Sequence, residues 1–301
     1  MLISYYRHLK SFNFITIKTL FFVFGLSFCV VAYATETPSV SVMPARVVQG
    51  EPVMISVTGA DASIKVTGIF LDGISLGIFS YQGKPAAFAG IDLNYKVGTY
   101  PVTVTLSDGR ALTATITVDA REKIEAPLGI PEKLGGNTPV SQTKLVSSLA
   151  TENKALVGLR TGAKAFWTEA FRWPVAQPVV TDGYGYSRKT GAYSIAHKGT
   201  DFRAGVGTPV TAINRGVVRV AKQFPTYGKT VVVDHGLGLM SFYMHLSKIN
   251  VNAGELVKAG QRVGLSGQTG YAVSPHLHFT LRIRNISVDP IKFFGLMGVF
   301  L

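Results

Sequence analysis

The stretch from His276 to Ile283 reads His-Leu-His-Phe-Thr-Leu-Arg-Ile, with an apolar residue at every second position. Strict alternation of this kind predicts a β-strand whose successive side chains point to opposite faces of a sheet. His276 and His278 then lie on one face, and Leu277 points the other way, into a core. A strand with an apolar face and a two-histidine face predicts a β domain that carries a polar site.

The sequence on the N-terminal side of this strand continues the β pattern. Glycines separate apolar segments of strand length, and no long helical period interrupts them. The clearest predicted strands are Val217–Ala221, Thr230–Asp234 and Leu239–His245. Because the connections are short, residues 173–301 are predicted to form an all-β, mostly antiparallel domain.

Residues 35–120 predict a second β domain. Gly98–Leu106 and Ala111–Val118 alternate on either side of Asp108-Gly109, a dipeptide that favours a hairpin turn. Short strands with polar turns over roughly 80 residues are typical of a small immunoglobulin-like sandwich. We find no titratable cluster in this region, so we expect a spacer or docking domain, and the whole fold is predicted to be all-β.

Residues 121–172 differ from both flanking regions and are predicted to be a linker. Prolines and glycines mark its first part as irregular, and Ser141–Leu156 predicts a short helix with apolar residues on one side. We expect Trp167 and Phe171 to pack against a domain face. The apolar C-terminal residues, 293–301, are expected to cover a sheet edge or to pack on the other domain.

The first 34 residues predict an export signal. Basic residues precede the apolar run Leu20–Val31, and Ala32-Tyr33-Ala34 offers small residues for cleavage. The alternative is an uncleaved N-terminal anchor, or a peripheral association with the membrane. Either way, we expect a periplasmic or secreted protein. The single cysteine, Cys29, lies inside the signal, so a mature chain would have neither disulfides nor cysteine-ligated zinc.

Positive charge is concentrated in the C-terminal domain. The whole chain carries +13, and residues 173–301 carry +9 (14 basic minus 5 acidic side chains). An exported basic domain is expected to meet anionic cell-wall polymer or a membrane surface, although the charge could also serve solubility alone. The export signal argues against nucleic acid as a partner, and we expect a monomer.

Five of the six histidines fall between positions 197 and 278, a clustering that metal or acid–base chemistry requires. His197 and Asp201 are four residues apart, with Gly199 between them, so both side chains could reach one ion. Together with a histidine of the 276/278 pair they make a three-ligand set, which leaves a zinc ion one open position. The simpler alternative is that Asp201 only hydrogen-bonds to its local backbone.

Three separated motifs resemble those of the lysostaphin-type (LytM domain) zinc metallopeptidases. They are His197-Lys198-Gly199-Thr200-Asp201, Tyr243-Met244-His245-Leu246 and His276-Leu277-His278. Neighbouring phrases such as Asp234-His235-Gly236 also match, and the resemblance covers about residues 173–291. It implies a C-terminal domain of the lysostaphin/LytM fold.

The resemblance implies a role for each motif residue. His197, Asp201 and His278 would bind Zn²⁺, and His245 and His276 would be catalytic. No His-Glu-x-x-His helix supplies a glutamate base, so histidines must move the proton, although the division between the two is not readable. Tyr193 is a candidate for substrate contact, with Tyr186 as its competitor. His235 is expected to be structural.

These observations predict a secreted zinc endopeptidase that hydrolyses peptide cross-links in bacterial peptidoglycan. The alternative is a catalytically silent LytM-like regulator that activates other cell-wall hydrolases. A further alternative is an enzyme whose cleft is covered by residues 121–172, with Asn137 or Asn153 as the inserted side chain. The sequence does not indicate which peptide bond is cut.

Overall fold

The computed structural model describes residues 37–60 and 63–301. The predicted export signal, residues 1–34, lies outside the described residues. Among the helices of the described part, none is long and apolar enough to cross a membrane.

The N-terminal region is built from nine strands. They are β1 Ser39–Met43, β2 Arg46–Val48, β3 Pro52–Thr58, β4 Val66–Leu71, β5 Ile74–Ser75, β6 Ile78–Tyr81, β7 Lys84–Gly90, β8 Gly98–Leu106 and β9 Ala111–Asp119. They form two sheets, ordered β1-β3-β7-β6 and β2-β9-β8-β4-β5. Alternate residues of both sheets, such as Ile55 and Val104, are buried in one shared apolar core. The predicted two-sheet sandwich is therefore present, and its immunoglobulin-like character stays a prediction.

The hairpin predicted around Asp108-Gly109 joins β8 to β9. The two strands pair antiparallel from Gly98↔Val118 to Thr105↔Ala111. Gly109 has a φ of +85°, a left-handed conformation that glycine adopts without the penalty other residues incur. The turn chemistry read from the sequence thus explains the register of this pair.

The segment predicted as a linker is packed against the C-terminal domain. It contains β10 (Glu125–Pro127), a 3-10 helix (Glu132–Leu134) and α1 (Pro139–Leu156). Helix α1 begins two residues before the predicted start, because Pro139 occupies the first turn and the Thr138 side chain caps it.

The C-terminal domain contains fourteen further elements. They are β11 Val180–Asp182, β12 Ser187–Thr190, β13 Tyr193–Ala196, β14 Thr200–Arg203, β15 Pro209–Thr211, β16 Gly216–Phe224, β17 Gly228–Asp234, β18 Leu239–Leu246, β19 Lys248–Ile249, β20 Leu256–Val257, β21 Arg262–Leu265, β22 His276–Ile283, β23 Ile286–Val288 and α2 Pro290–Leu296. With only two α-helices among the described residues, the predicted all-β class is confirmed. All pairings inside the main sheet are antiparallel, as predicted.

The main sheet has the order β11-β14-β22-β18-β17-β16-β20, with β23 also paired to β22. The strand β10 pairs in parallel with β12, which joins the linker to the β12–β13 hairpin. On β22, Leu277 and Phe279 enter the larger apolar core, and His278 lies on the opposite face. On that opposite face of the sheet, a smaller apolar cluster includes Phe242, Met244 and Leu156 of α1.

The apolar C-terminal segment packs between the two β regions. The Phe293 ring lies 5.5 Å from the Phe88 ring of β7 and 5.1 Å from that of Phe171. Trp167 contacts Phe79 on the same sandwich sheet, with ring centroids 5.1 Å apart. The predicted packing of these aromatics is confirmed, and the sandwich and the C-terminal domain share one apolar core.

We expect Phe293→Ala to lower the free energy of unfolding by about 3–5 kcal/mol, because it removes a fully buried ring from this shared core. Urea denaturation followed by tryptophan fluorescence measures the loss. Phe300→Ala is the matched control, since that side chain is 76% exposed and should change stability by no more than about 0.5 kcal/mol. Equal losses in the two variants would contradict the shared core.

Candidate metal centre

Two adjacent antiparallel strands bring the predicted ligands together. Asp201 on β14 and His278 on β22 are direct cross-strand partners. His197 lies just before β14 and completes the group. A Cβ atom at Gly199 would lie 2.6 Å from Nε2 of His278, so only glycine allows the chain between His197 and Asp201 to pass this close.

One donor atom from each of the three side chains points to a common centre. Nε2 of His197 lies 3.2 Å from Oδ1 of Asp201 and 3.1 Å from Nδ1 of His278. The Asp201 Oδ1 to His278 Nδ1 distance is 2.8 Å. Tetrahedral zinc with bonds of about 2.0–2.1 Å needs donors roughly 3.3 Å apart, so small movements would suffice. All three residues are buried. The donor set and its spacing therefore fit zinc.

Hydrogen bonds determine which ring nitrogen of each ligand is free. His197 Nδ1 lies 2.7 Å from the Gly183 carbonyl oxygen, so it must carry the proton and leave Nε2 as a donor to metal. The Thr280 hydroxyl donates to the Lys198 carbonyl oxygen and can therefore accept from Nε2–H of His278, 3.1 Å away. Nδ1 of His278 is then the free nitrogen. Such outer contacts orient metal-binding histidines.

The two histidines predicted to be catalytic lie beside this group. The ring centroids of His245 and His276 are 4.9 Å apart, and that of His245 is 5.9 Å from that of His278. Each holds its Nδ1 proton through a backbone carbonyl oxygen at 2.8 Å, from Thr269 and Ser274 respectively. Both rings therefore keep Nε2 unprotonated when neutral, as a general base requires.

His245 also has a strained backbone. Its φ is +59°, a conformation unfavourable for a residue other than glycine. The His245 N–H donates to the Tyr227 carbonyl oxygen at 2.9 Å, which helps to hold this conformation. Strain of this kind is concentrated at functional sites, and the ring of this residue lies 5.9 Å from that of His278.

Electrostatic interactions keep these side chains in the protonation states that binding of a cation needs. Burial alone would raise the pKa of Asp201, but the neighbouring His197 and His278 bring that pKa well below its ordinary value. Burial lowers the pKa of His278 to about 4. Burial, with the nearby His276 and His278, lowers the pKa of His245 to about 3. At neutral pH the carboxylate is charged and these two imidazoles are neutral, as metal ligation and proton abstraction require.

Arg188 and Asp182 join the site without having been predicted. Arg188 Nη2 donates to Asp201 Oδ2 at 2.5 Å and also bonds to Asp182. It thereby holds the second carboxylate oxygen and leaves Oδ1 for the histidines. The same Nη2 also lies 3.1 Å from Nε2 of His197, the nitrogen assigned to the metal. The only signal in the sequence is proximity to a candidate residue: Arg188 lies two positions after Tyr186, and Asp182 four positions before it.

The remaining predicted residues lie further out. The Tyr193 hydroxyl oxygen lies 3.1 Å from Thr143 Oγ1 on α1, so its substrate role stays a prediction. Asn137 accepts from Ile130 N–H, and Asn153 accepts from the Tyr227 hydroxyl. His235 is fully buried, with Nδ1 2.9 Å from the Arg215 carbonyl oxygen, and burial lowers its pKa to about 4.

A cavity of about 530 Å³ adjoins the metal ligands. His197, His245 and His278 lie on one side of it, and Leu145 and Leu149 of α1 lie on another. The linker thus forms part of the surroundings of the site, and the alternative in which residues 121–172 cover the cleft stays a prediction.

A sequence model of peptidase family M23 matches residues 195–290. The peptidoglycan DD-endopeptidase ShyA of Vibrio cholerae is 47% identical over 96 residues, which are 32% of this chain and 22% of ShyA. Lysostaphin of Staphylococcus simulans is 39% identical over 128 residues, 38% of this chain and 25% of lysostaphin. The chain therefore spans about a quarter of the length of these curated relatives.

The structural likeness extends beyond the matched domain. A crystal structure from Pseudomonas aeruginosa described as a peptidase M23 superimposes with a TM-score of 0.57 at 25% sequence identity. The match covers 82% of this chain and 94% of that one. The N-terminal sandwich and linker are thus included in the likeness.

We expect Thr280→Val to weaken zinc binding by about 10- to 100-fold, because it removes the acceptor that fixes the His278 tautomer. Competition with a chromogenic chelator measures the affinity. Thr200→Val is the matched control: Thr200 is also buried, and its hydroxyl has no hydrogen-bond partner among the described residues. A Thr280→Val chain that binds zinc as tightly as Thr200→Val would contradict the tautomer argument.

Proposed function

We propose that this chain is a zinc metallo-endopeptidase that hydrolyses peptide cross-links in bacterial peptidoglycan. The premise is that residues 195–290 form a domain of peptidase family M23. The carrying observation is that five side chains converge, with one ring nitrogen of each imidazole held by a carbonyl or hydroxyl oxygen. A silent regulator, the alternative from the sequence, has no need of this complete arrangement.

His197, Asp201 and His278 are proposed to hold the metal. Zinc, when bound, supplies Lewis acidity that polarises a peptide carbonyl and makes water more acidic. Arg188 keeps Asp201 turned toward the two histidines. The Gly183 carbonyl and the Thr280 hydroxyl keep those histidines in the tautomers that can bind.

His245 and His276 are proposed to move the proton. Each presents an unprotonated Nε2 on the side of the metal ligands, so either can accept the proton of the attacking water. Once protonated, the imidazolium can donate to the oxyanion that develops on the carbonyl or to the leaving amine. Among the described residues, Asp201 is the one carboxylate that pairs with His276, and no carboxylate pairs with His245.

The substrate assignment comes from the relatives and from charge. ShyA is named a peptidoglycan DD-endopeptidase, and lysostaphin also matches this domain. The C-terminal domain carries +9, which suits a polyanionic wall polymer. A wall substrate places the protein outside the cytoplasm, in the periplasm or secreted, as the predicted signal at residues 1–34 requires.

We expect His276→Ala to lower the rate of cross-link hydrolysis by about 10²- to 10⁴-fold while zinc stays bound at one ion per chain, because the variant loses a proton acceptor and no metal ligand. Release of soluble fragments from purified peptidoglycan, resolved by mass spectrometry, measures the rate and identifies the bond cut. Elemental analysis measures zinc.

The companion variant His278→Ala separates the two roles. It should lose both activity and stoichiometric zinc, since it removes a ligand. Undiminished hydrolysis by His276→Ala would refute its catalytic role. A zinc-loaded wild-type chain that releases nothing from the peptidoglycans tested would refute the enzyme assignment itself.

A further inference from the structure

Arg282 is a buried cation with no anionic partner. The residue is 6% exposed and lies on β22, four positions after His278. Nη1 donates to the Leu156 carbonyl oxygen and Nη2 to Asn153 Oδ1, both at 3.2 Å. The guanidinium also lies 4.5 Å from the centroid of the Phe242 ring. All of these partners are neutral.

One N–H of the same guanidinium has no partner at all. Nε of Arg282 is buried and makes no hydrogen bond to any residue that the structure describes. Burying a charge away from water is costly unless an opposite charge or several good hydrogen bonds compensate. The Nε/Nη2 edge therefore has one free donor and one long bond to a neutral amide.

The Arg282 side chain lines the cavity beside the candidate metal ligands, although its Nε atom itself is inaccessible. Arg282, His278 and His245 all line that cavity. Residues 278 and 282 lie on the same face of one strand, at a Cα separation of about 13 Å for four strand steps. A peptide that reaches the catalytic histidines can thus extend along β22 to the guanidinium.

We infer that the guanidinium group of Arg282 is a binding subsite for a carboxylate group of the peptide that occupies this cavity. A carboxylate accepts charge-assisted hydrogen bonds from a guanidinium and neutralises the buried charge. Only the identity of the ligand, a peptidoglycan stem peptide, rests on the proposed function. The subsite itself rests on the cavity, the orphan Nε and the absence of a counter-ion among the described residues.

A purely structural role accounts for less of the geometry. Arg282 does tie the C-terminal end of α1 to the sheet through Leu156 and Asn153. Those two contacts need donors but no charge, and they leave Nε unused. The contact with the Phe242 ring does use the charge, but it supplies no hydrogen bond to Nε. Replacement of a buried unpaired charge by a neutral side chain of similar size would serve that role better.

The test compares two forms of one cross-linked stem-peptide dimer, with its α-carboxyl groups either free or amidated. Calorimetry measures their dissociation constants for the full zinc-loaded chain carrying His276→Ala, which is expected to bind without cleaving. We expect the free-carboxyl dimer to bind at least about tenfold more tightly, equivalent to 1.4 kcal/mol. Adding Arg282→Gln should reduce this ratio to less than about twofold, and Arg282→Lys should retain part of it.

Equal affinity for the two dimers, or no binding of either at millimolar concentration, would overturn the subsite even if Arg282→Gln failed to fold. A ratio that survives Arg282→Gln in a chain with a normal melting curve would overturn it as well. The proposed function fails separately: the zinc-loaded wild type would then cleave neither dimer, whatever their relative affinity.

Discussion

The site depends on the antiparallel register of two neighbouring strands. Pairing of β14 with β22 sets Asp201 directly opposite His278, and a shift by one residue would move one of them to the apolar face. That register is specified from the other face, because Phe202, Leu277 and Phe279 are fully buried in the larger core. The apolar alternation that stabilises the sheet therefore also determines which donors meet.

Within this register, neutral groups around the candidate ligands fix the orientation of each imidazole. The Gly183 and Thr269 carbonyl oxygens and the Thr280 hydroxyl each hold one ring nitrogen. Neutral partners of this kind select a tautomer without adding charge. Arg188, and a metal ion when one is bound, would then carry the positive charge of the site. Burial lowers the pKa of His245 to about 3 and that of His278 to about 4, although Asp201 raises both, so these two imidazoles are neutral at physiological pH.

The sequence predicted the parts of this arrangement that local rules control. Alternation placed His276 and His278 on one face, and Asp108-Gly109 marked a hairpin that the structure contains. The outer contacts were not predicted although they are close in the chain: Arg188 lies nine residues from His197 and Thr280 two from His278, and local patterns do not specify hydrogen bonds between side chains. For Gly199, the sequence indicated only a position between two candidate ligands. The structural reason for a glycine there is the lack of space beside His278.

Residues 121–172 show most clearly which contacts the sequence did not predict. Its prolines and glycines predicted a linker, yet the buried Glu152 carboxylate accepts hydrogen bonds from the N–H groups of Thr226 and Tyr227, at 2.7 and 3.0 Å. Helix α1 has only a weakly apolar face, so these hydrogen bonds to the turn between β16 and β17 hold it in place. Because these anchors hold α1 beside the candidate metal ligands, the segment that joins the two β regions also lines the cavity next to them.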